Sequence, residues 1–262
     1  MSSPNLVEER GRVLSNDHLG RNLYLVTVES EEIAKALLPG QFVHTLVPGM
    51  EGHILRRPFS VYDADPVAGA IEILYQVVGF GSERLSCVQP GTEISNIGPI
   101  GRGWGIAPEC QRALVVCGGV GAAPLFMHTR KMVESGIEVD VVLGAQTADA
   151  LVCAERYAQM LGKQPILATD DGTCGYSGFC TVPAKELLDQ KKYDYVACCG
   201  PEPLMRIIAG MAREAGVSCE VSMERRMACG VGACLSCVID TVDGKRRCCV
   251  DGPVFDANEV VW

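Results

Sequence analysis

Up to about residue 106, apolar and polar positions alternate in short runs separated by turn residues, the period-two pattern of half-buried strands. Runs at 23–28, 41–47, 59–62 and 70–78 carry β-branched and aromatic side chains and are bounded by Pro and Gly. Short strands so spaced predict a small antiparallel β-barrel. Residues 31–38, ahead of Pro39-Gly40, predict one or two helical turns.

From about residue 110 the texture changes to alternating β and α. Residues 113–117 are continuously apolar, as in a strand buried on both faces, and 138–143, 165–169, 193–198 and 217–223 read as further strands. Helical patterns at 126–134, 149–161, 181–190 and 203–215 separate them. This predicts a doubly wound parallel sheet, with any ligand at the carboxyl ends of its strands. Residues 224–262 carry cysteines and are too few to own a core, so a bound metal group would replace one. The expected organisation is α+β and multi-domain: an antiparallel barrel over 1–106, a nucleotide-binding α/β domain over 107–223 and a small metal-binding subdomain over 224–262.

Several motifs punctuate this pattern. In Arg56-Arg57-Pro58-Phe59-Ser60, an arginine at a strand start offers a planar charged fork suited to phosphate, and Ser60 a small hydroxyl. An exposed basic pair at a strand end is the plainer alternative. In 79–86, glycines precede Ser82, a good N-cap, and backbone N–H groups at such a helix start favour an anion, although an ordinary capped turn reads the same way. Gly118-Gly119-Val120-Gly121-Ala122-Ala123-Pro124 follows the first parallel strand as Gly-x-Gly-x-x-Pro, keeping the tight turn and close phosphate approach of a dinucleotide loop without its third glycine. After the second strand, 144–149 holds no Arg or Lys before Arg156 to meet a 2′-phosphate, which favours NAD over NADP. Asp170-Asp171-Gly172 and Cys199-Gly200-Pro201 follow later strands and are expected to line the same pocket. The histidines His18, His44, His53 and His128 form no local cluster and receive no role.

The strongest motif is Cys229-x4-Cys234-x2-Cys237 with Cys248-Cys249 downstream, the spacing with which plant-type ferredoxins hold a [2Fe-2S] cluster. The first loop must curl around two irons and aim N–H groups inward, which Gly230, Gly232 and Ala233 permit. Structural zinc prefers two C-x2-C knuckles, whereas adjacent side chains seldom both reach one metal, so one of Cys248 and Cys249 reads as a spectator. Disulfides and simple burial remain as alternatives.

Composition narrows the field. The chain has 262 residues, 48% of them hydrophobic, with a formal net charge of -9 and scattered basic residues, which argues against a nucleic-acid or anionic-membrane surface. Residues 1–10 lack the apolar core of a signal peptide, and the most apolar run, 113–127, is broken by Gly118, Gly119, Gly121 and Pro124, so a cytoplasmic location is expected. In a reducing compartment fourteen cysteines are not a disulfide scaffold. Cys87, Cys110, Cys117, Cys153, Cys174, Cys180, Cys198 and Cys219 read as packing residues.

Barrel, dinucleotide fold and C-terminal cluster loop in this order resemble the ferredoxin-NADP reductase superfamily, and within it the electron transfer subunits of type B dihydroorotate dehydrogenase. The resemblance covers essentially the whole chain and rests on residues 57–60, 75–82, 98–101, 118–125, 169–172, 199–201 and 229–237, with 251–255 similar to the segment after the family's last cluster cysteine. It implies FAD at Arg57, Pro58, Phe59 and Ser60, at Leu74, Tyr75 and Gln76, and at Gly81 and Ser82. It implies NAD beside Gly119, Gly121 and Cys199, and a cluster on Cys229, Cys234, Cys237 and Cys249 rather than Cys248. It further implies a heterotetramer, two plus two, with an FMN-containing catalytic subunit that oxidises dihydroorotate, electrons passing through cluster and FAD to NAD+ with no side chain acting as acid or base. The family often has Arg where Gln76 stands, and the interval from Cys237 to Cys249 is short. The rival expectations are an NAD(P)H-linked subunit of a ferredoxin:NADP or sulfide-linked reductase and a redox-sensing module without turnover.

Overall fold

A strand that the alternation did not reveal runs through the centre of the first sheet. In the computed structural model, which describes residues 6–50, 52–107 and 109–262, β1 (Val7–Gly20) spans 14 residues. Residues 1–5, the head of the segment weighed above as a leader, lie outside the described residues. The sequence of β1 is polar on both faces because its length is held by partners on both sides rather than by a buried face. Val7 to Arg12 pair with β7 (Glu93–Ile100), and Val13 to Gly20 with β2 (Leu23–Glu29).

The remaining barrel strands are β3 (Phe42–Leu46), β4 (Arg57–Ser60), β5 (Asp63–Asp65) and β6 (Ala70–Gln76), in the antiparallel order β4-β3-β7-β1-β2-β6-β5. The edge strands β4 and β5 are consecutive in the chain. Val61 and Tyr62 cross between them, the Tyr62 N–H donating to the Glu72 carbonyl (2.8 Å) while the Phe59 ring meets Tyr75 at 5.7 Å, so the sheet curls until its edges meet. That crossing explains why the strand expected at 59–62 lies at 57–60. Val13, Val26, Val28, Val43, Ile71, Ile73 and Ile94 fill the interior, with Ile33 of α1 (Glu31–Ala36) and Leu85 of α2 (Phe80–Ser86) plugging it. Each such side chain contributes roughly 1.5–3 kcal/mol by leaving water.

The second sheet comprises β8 (Arg112–Gly118), β9 (Glu138–Ala145), β10 (Ile166–Thr169), β11 (Tyr176–Ser177), β12 (Tyr195–Cys199), β13 (Ser218–Ser222) and β16 (Val254–Asp256). Its order is β11-β10-β9-β8-β12-β13-β16, parallel except for β16. Along β8 the buried residues alternate: Ala113, Val115 and Cys117 face α3 (Ala123–Glu134) and α4 (Ala154–Leu161), while Leu114 and Val116 face α5 (Thr181–Gln190) and α6 (Glu202–Glu214). Helix α3 begins three residues earlier than its apolar period suggested because Pro124 suits a first helical turn. Helix α4 begins later, at Ala154, because Ala148–Ala150 form a separate 3-10 turn.

Residues beyond 223 do not lack a core but share one. Cys237, Ile239, Cys248, Phe255 and Val260 join the cluster beneath α5 and α6, and a hairpin of β14 (Val238–Thr241) and β15 (Gly244–Arg247) precedes β16. The segment between the two sheets is fastened by the Arg102 N–H to Gly252 (2.5 Å), the Trp104 N–H to Pro39 (2.9 Å) and the Gly105 N–H to Glu220 (2.8 Å). Among the described residues no helix is long and apolar enough to cross a membrane.

Candidate functional site

The two arginines of the barrel motif part company in space. Arg56 is committed to the fold, donating to the Ser95 carbonyl (2.9 Å) and hydroxyl (3.0 Å) and pairing with Glu8 (2.7 Å). Arg57 donates to the Leu55 carbonyl (2.6 Å), and among the described residues no carboxylate pairs with it. Its side chain lies over Gly81, where a Cβ would stand 2.7 Å from Nε. The arginine fork and the glycine of the helix start, expected from separate motifs, are therefore packed against each other at the first turn of α2.

Ser82 is not the N-cap of that helix. Gly79 occupies the cap, and the buried Ser82 hydroxyl accepts from the N–H groups of Val78 (2.9 Å) and Gly79 (3.2 Å), reaching back from the first turn. Ser60 ends β4, half-buried, opposite Phe42. The side chains of Leu74, Tyr75 and Gln76 diverge: Leu74 enters the interface with the second sheet, Tyr75 turns into the barrel and donates to Asn16 (3.0 Å), and Gln76 is exposed beside Asn22 (3.2 Å).

At the carboxyl end of β8 the glycines work by close approach. A Cβ on Gly121 would lie 2.4 Å from the Cys199 carbonyl oxygen, and one on Gly118 2.5 Å from Leu204. Gly119, with φ +56, faces open space. The loops after β8 and β12 therefore meet backbone to backbone at the point where the connections diverge to either side of the sheet, which is where doubly wound folds bind nucleotides. Cys199 is half-buried, and its thiol donates to the Ser222 carbonyl (3.7 Å). Burial, with Glu224 adding, pushes it up to about 12, so it is a neutral wall rather than a nucleophile. Asp171 is occupied with Thr173, accepting from its N–H (3.0 Å) and hydroxyl (2.7 Å), as a turn residue does.

Arg156 is no candidate for a 2′-phosphate, being tied to Glu72 (2.5 Å) and Asp63 (2.9 Å) of the barrel. A cation does reach the end of β9 from elsewhere: Arg21, in the turn after β1, donates to Gln146 (3.3 Å) and Thr147 (3.1 Å). Local sequence around 144–149 could not reveal it.

The cysteine loop has the expected backbone. Gly230 (φ +69) and Gly232 (φ +83) take left-handed conformations, and the N–H groups of Val231 (3.5 Å) and Cys234 (3.4 Å) point at the Cys229 sulfur. Arg247, bound to Asp251 (3.2 Å), holds the Gly232 carbonyl (3.4 Å) and clamps the loop to the hairpin. Cys237 and Cys249 approach to 3.3 Å between sulfurs, whereas Cys248 turns into the core with no exposed surface. Ser236, with Cys229 adding, holds the exposed Cys234 thiol down at about 6. Burial, and then Cys237, push Cys249 up to about 12, a thiol that a metal's positive charge would deprotonate. Among the described residues no three ligand-type side chains converge on a single ion. The Cys237 and Cys249 sulfurs form one close pair, and the Cys229 sulfur is met by the Cys234 N–H (3.4 Å), the kind of backbone donor that a cluster-binding loop directs at its thiolates.

One residue without a role in the sequence enters this site. His44, on β3, is 1% exposed, neither ring nitrogen has a hydrogen-bond partner, and a Cβ on Gly230 would lie 2.7 Å from its Nδ1. Burial, and then the charge of Arg56, push its pKa below the ordinary value, while the carbonyls of Arg56 and Cys229 act the other way. The available signal was a polar ring inside the otherwise apolar run Phe42-Val43, which alone does not say what it meets.

Comparison with known proteins accords with this geometry. Residues 224–261 match the family described as the iron-sulfur cluster binding domain of dihydroorotate dehydrogenase B, and 115–210 the oxidoreductase NAD-binding domain. The chain is 36% identical to the dihydroorotate dehydrogenase B (NAD(+)) electron transfer subunit of Desulforamulus reducens, over 96% of this chain and 97% of that one. It is 37% identical to the same subunit of Shouchella clausii, over 97% and 99%. A solved structure of an NADH-dependent reduced ferredoxin-NADP oxidoreductase, described for flavin-based electron bifurcation, superposes with a TM-score of 0.88 at 29% identity, covering 96% of this chain and 90% of that one.

Proposed function

Because the chain belongs to the family of dihydroorotate dehydrogenase B electron transfer subunits, we propose that it relays electrons from dihydroorotate, oxidised on a separate catalytic subunit, to NAD+ in pyrimidine biosynthesis. The near full-length identity to subunits of that name carries the reading. The partner holds FMN, two copies of each chain form a heterotetramer, and the complex works in the cytoplasm. The division at 1–106, 107–223 and 224–262 corresponds to flavin, nicotinamide and cluster sites.

When bound, FAD and [2Fe-2S] supply the conversion between one-electron transfer at iron and two-electron transfer at nicotinamide. The protein's own contribution is placement. Arg57 offsets pyrophosphate charge with the fork that Gly81 admits, and the first turn of α2 adds N–H donors beside it. Pro58, Phe59 and Ser60 of β4, together with Leu74, Tyr75 and Gln76 of β6, would hold the flavin. Gly119 and Gly121 let a dinucleotide approach the backbone, and Cys199 excludes water beside the nicotinamide without exchanging a proton. Cys229, Cys234, Cys237 and Cys249 hold the cluster, while Cys248 packs the core.

Anaerobic NAD+ reduction by dihydroorotate, with the host's catalytic subunit in the presence and absence of this chain, tests the reading. NADH formation only with both chains supports it. The likeness to the bifurcating oxidoreductase favours one alternative, an NAD(P)H-linked subunit of a ferredoxin:NADP or sulfide-linked reductase. An inert pair, together with NADPH- or NADH-dependent ferredoxin reduction by this chain, establishes that alternative instead.

A further inference from the structure

His44 stands between the two redox sites. On one side its strand pairs with β4, where it is registered with Pro58 of the flavin strand, and its carbonyl receives Arg56 Nη1 (3.3 Å). On the other, its ring abuts the cysteine loop, with Nδ1, Cε1 and Cγ at 2.7, 3.3 and 3.3 Å from the position of a Cβ on Gly230. Its neighbours Phe42 and Val43 are buried apolar residues, so packing alone does not call for an imidazole here. An imidazole carries at least one N–H in either protonation state, and buried donors are seldom left without an acceptor. Neither ring nitrogen makes a hydrogen bond, and the backbone groups that favour its protonated form are those of Arg56 on the barrel side and Cys229 on the loop side.

We propose that His44 is a positioning residue for the iron–sulfur site, donating its ring N–H into the cluster loop at Cys229–Gly230 and so fixing that loop against the flavin strand while tuning the cluster's reduction potential. This rests on the reading of Cys229, Cys234, Cys237 and Cys249 as cluster ligands. Donors directed at a cluster and its ligands stabilise the reduced form, which carries the additional negative charge, and hydrogen bonding of this kind sets cluster potentials. His44 acts from a different sheet and from the far end of the sequence, so it couples cluster geometry to the barrel.

The test is an EPR-monitored redox titration of the full chain in complex with its catalytic partner, comparing wild type, His44→Phe and His44→Asn. Phe keeps an aromatic ring without donors, and Asn restores an N–H near Nδ1. The expected result is that His44→Phe lowers the cluster potential by about 59 mV or more, a tenfold shift in the one-electron equilibrium, with altered g-values, and that His44→Asn recovers at least half of the shift. A His44→Phe titration superimposable on wild type overturns the proposal, as does a His44→Asn shift as large as that of Phe. Should His44→Phe lose its iron, His44→Asn decides: wild-type iron content and potential support the donor role, and loss of iron there too overturns it. Iron and acid-labile sulfide in the wild type test the underlying cluster reading separately, since their absence removes both.

Discussion

Arg57 and Gly81, from separate motifs of the barrel, fit together because glycine leaves room: a methyl group on Gly81 would stand 2.7 Å from the Arg57 Nε. Gly81→Ala therefore moves the guanidinium off its seat. Flavin retention is expected to weaken by about tenfold, ~1.4 kcal/mol, with the thermal transition of the folded chain little changed. The ratio of flavin to protein absorbance after gel filtration reads this, and an undiminished ratio would remove Arg57 from the flavin site.

Gly121→Ala places a methyl group 2.4 Å from the Cys199 carbonyl oxygen, a contact that backbone cannot relieve without shifting one of the loops. NADH-dependent bleaching of the flavin should slow by about tenfold or more under subsaturating NADH, as for ~1.4 kcal/mol of lost binding, while flavin content stays at the wild-type level. Equal losses of flavin and nicotinamide binding would show that the two loops serve the fold rather than the nucleotide.

Cys248 and Cys249 are adjacent and have opposite expected phenotypes. Cys249→Ser removes the sulfur that sits 3.3 Å from that of Cys237, and loss of iron and of the visible cluster absorbance is expected. Cys248→Ser buries a hydroxyl in the apolar core, so stability should fall by about 1–3 kcal/mol with iron content retained. Metal analysis and chemical denaturation distinguish the two, and a reversal of the phenotypes would exchange their roles.

Asp140, on β9 and nearly buried, supplies a pH dependence unconnected with the redox sites. Burial pushes its carboxyl up, but hydrogen bonds from Lys163 (2.9 Å), Lys191 (2.7 Å) and Tyr193 (2.8 Å) outweigh it and hold the group at about 2. Because the folded carboxyl titrates below the unfolded one, its stabilisation is complete above about pH 4 and is lost as pH falls toward 2. Asp140→Asn should cost on the order of 2 kcal/mol at neutral pH, and the difference from wild type should shrink across that acid window. Urea melts at pH 7 and pH 3 measure it, and a difference independent of pH would contradict the assignment.

The sequence made the cysteine loop legible because three of its cysteines and its glycines lie within nine residues, where spacing is itself geometry. The parallel strands were legible because burial on both faces leaves an unbroken apolar run, as in β8. What escaped was set by distant contacts. β1 is specified by its partners and not by its own polar sequence, Arg21 reaches Gln146 from another sheet, and His44 meets Gly230 across most of the chain. Ser82 lies three residues inside its helix instead of at the cap, because its hydroxyl can cap from the first turn as well as from the cap itself.

Strand β16 lies along β13, so the segment that bears the cluster cysteines also completes the border of the nucleotide-binding sheet. A bare border of this kind is a template on which other chains can add strands, and natural sheets protect it. Removing residues 224–262 would therefore invite aggregation through β13 as well as discarding the segment that matches an iron-sulfur cluster binding domain. Exchange of parts between relatives is constrained in the same way, since a recombinant that drops the cysteines must keep β16 or cover that border by other means.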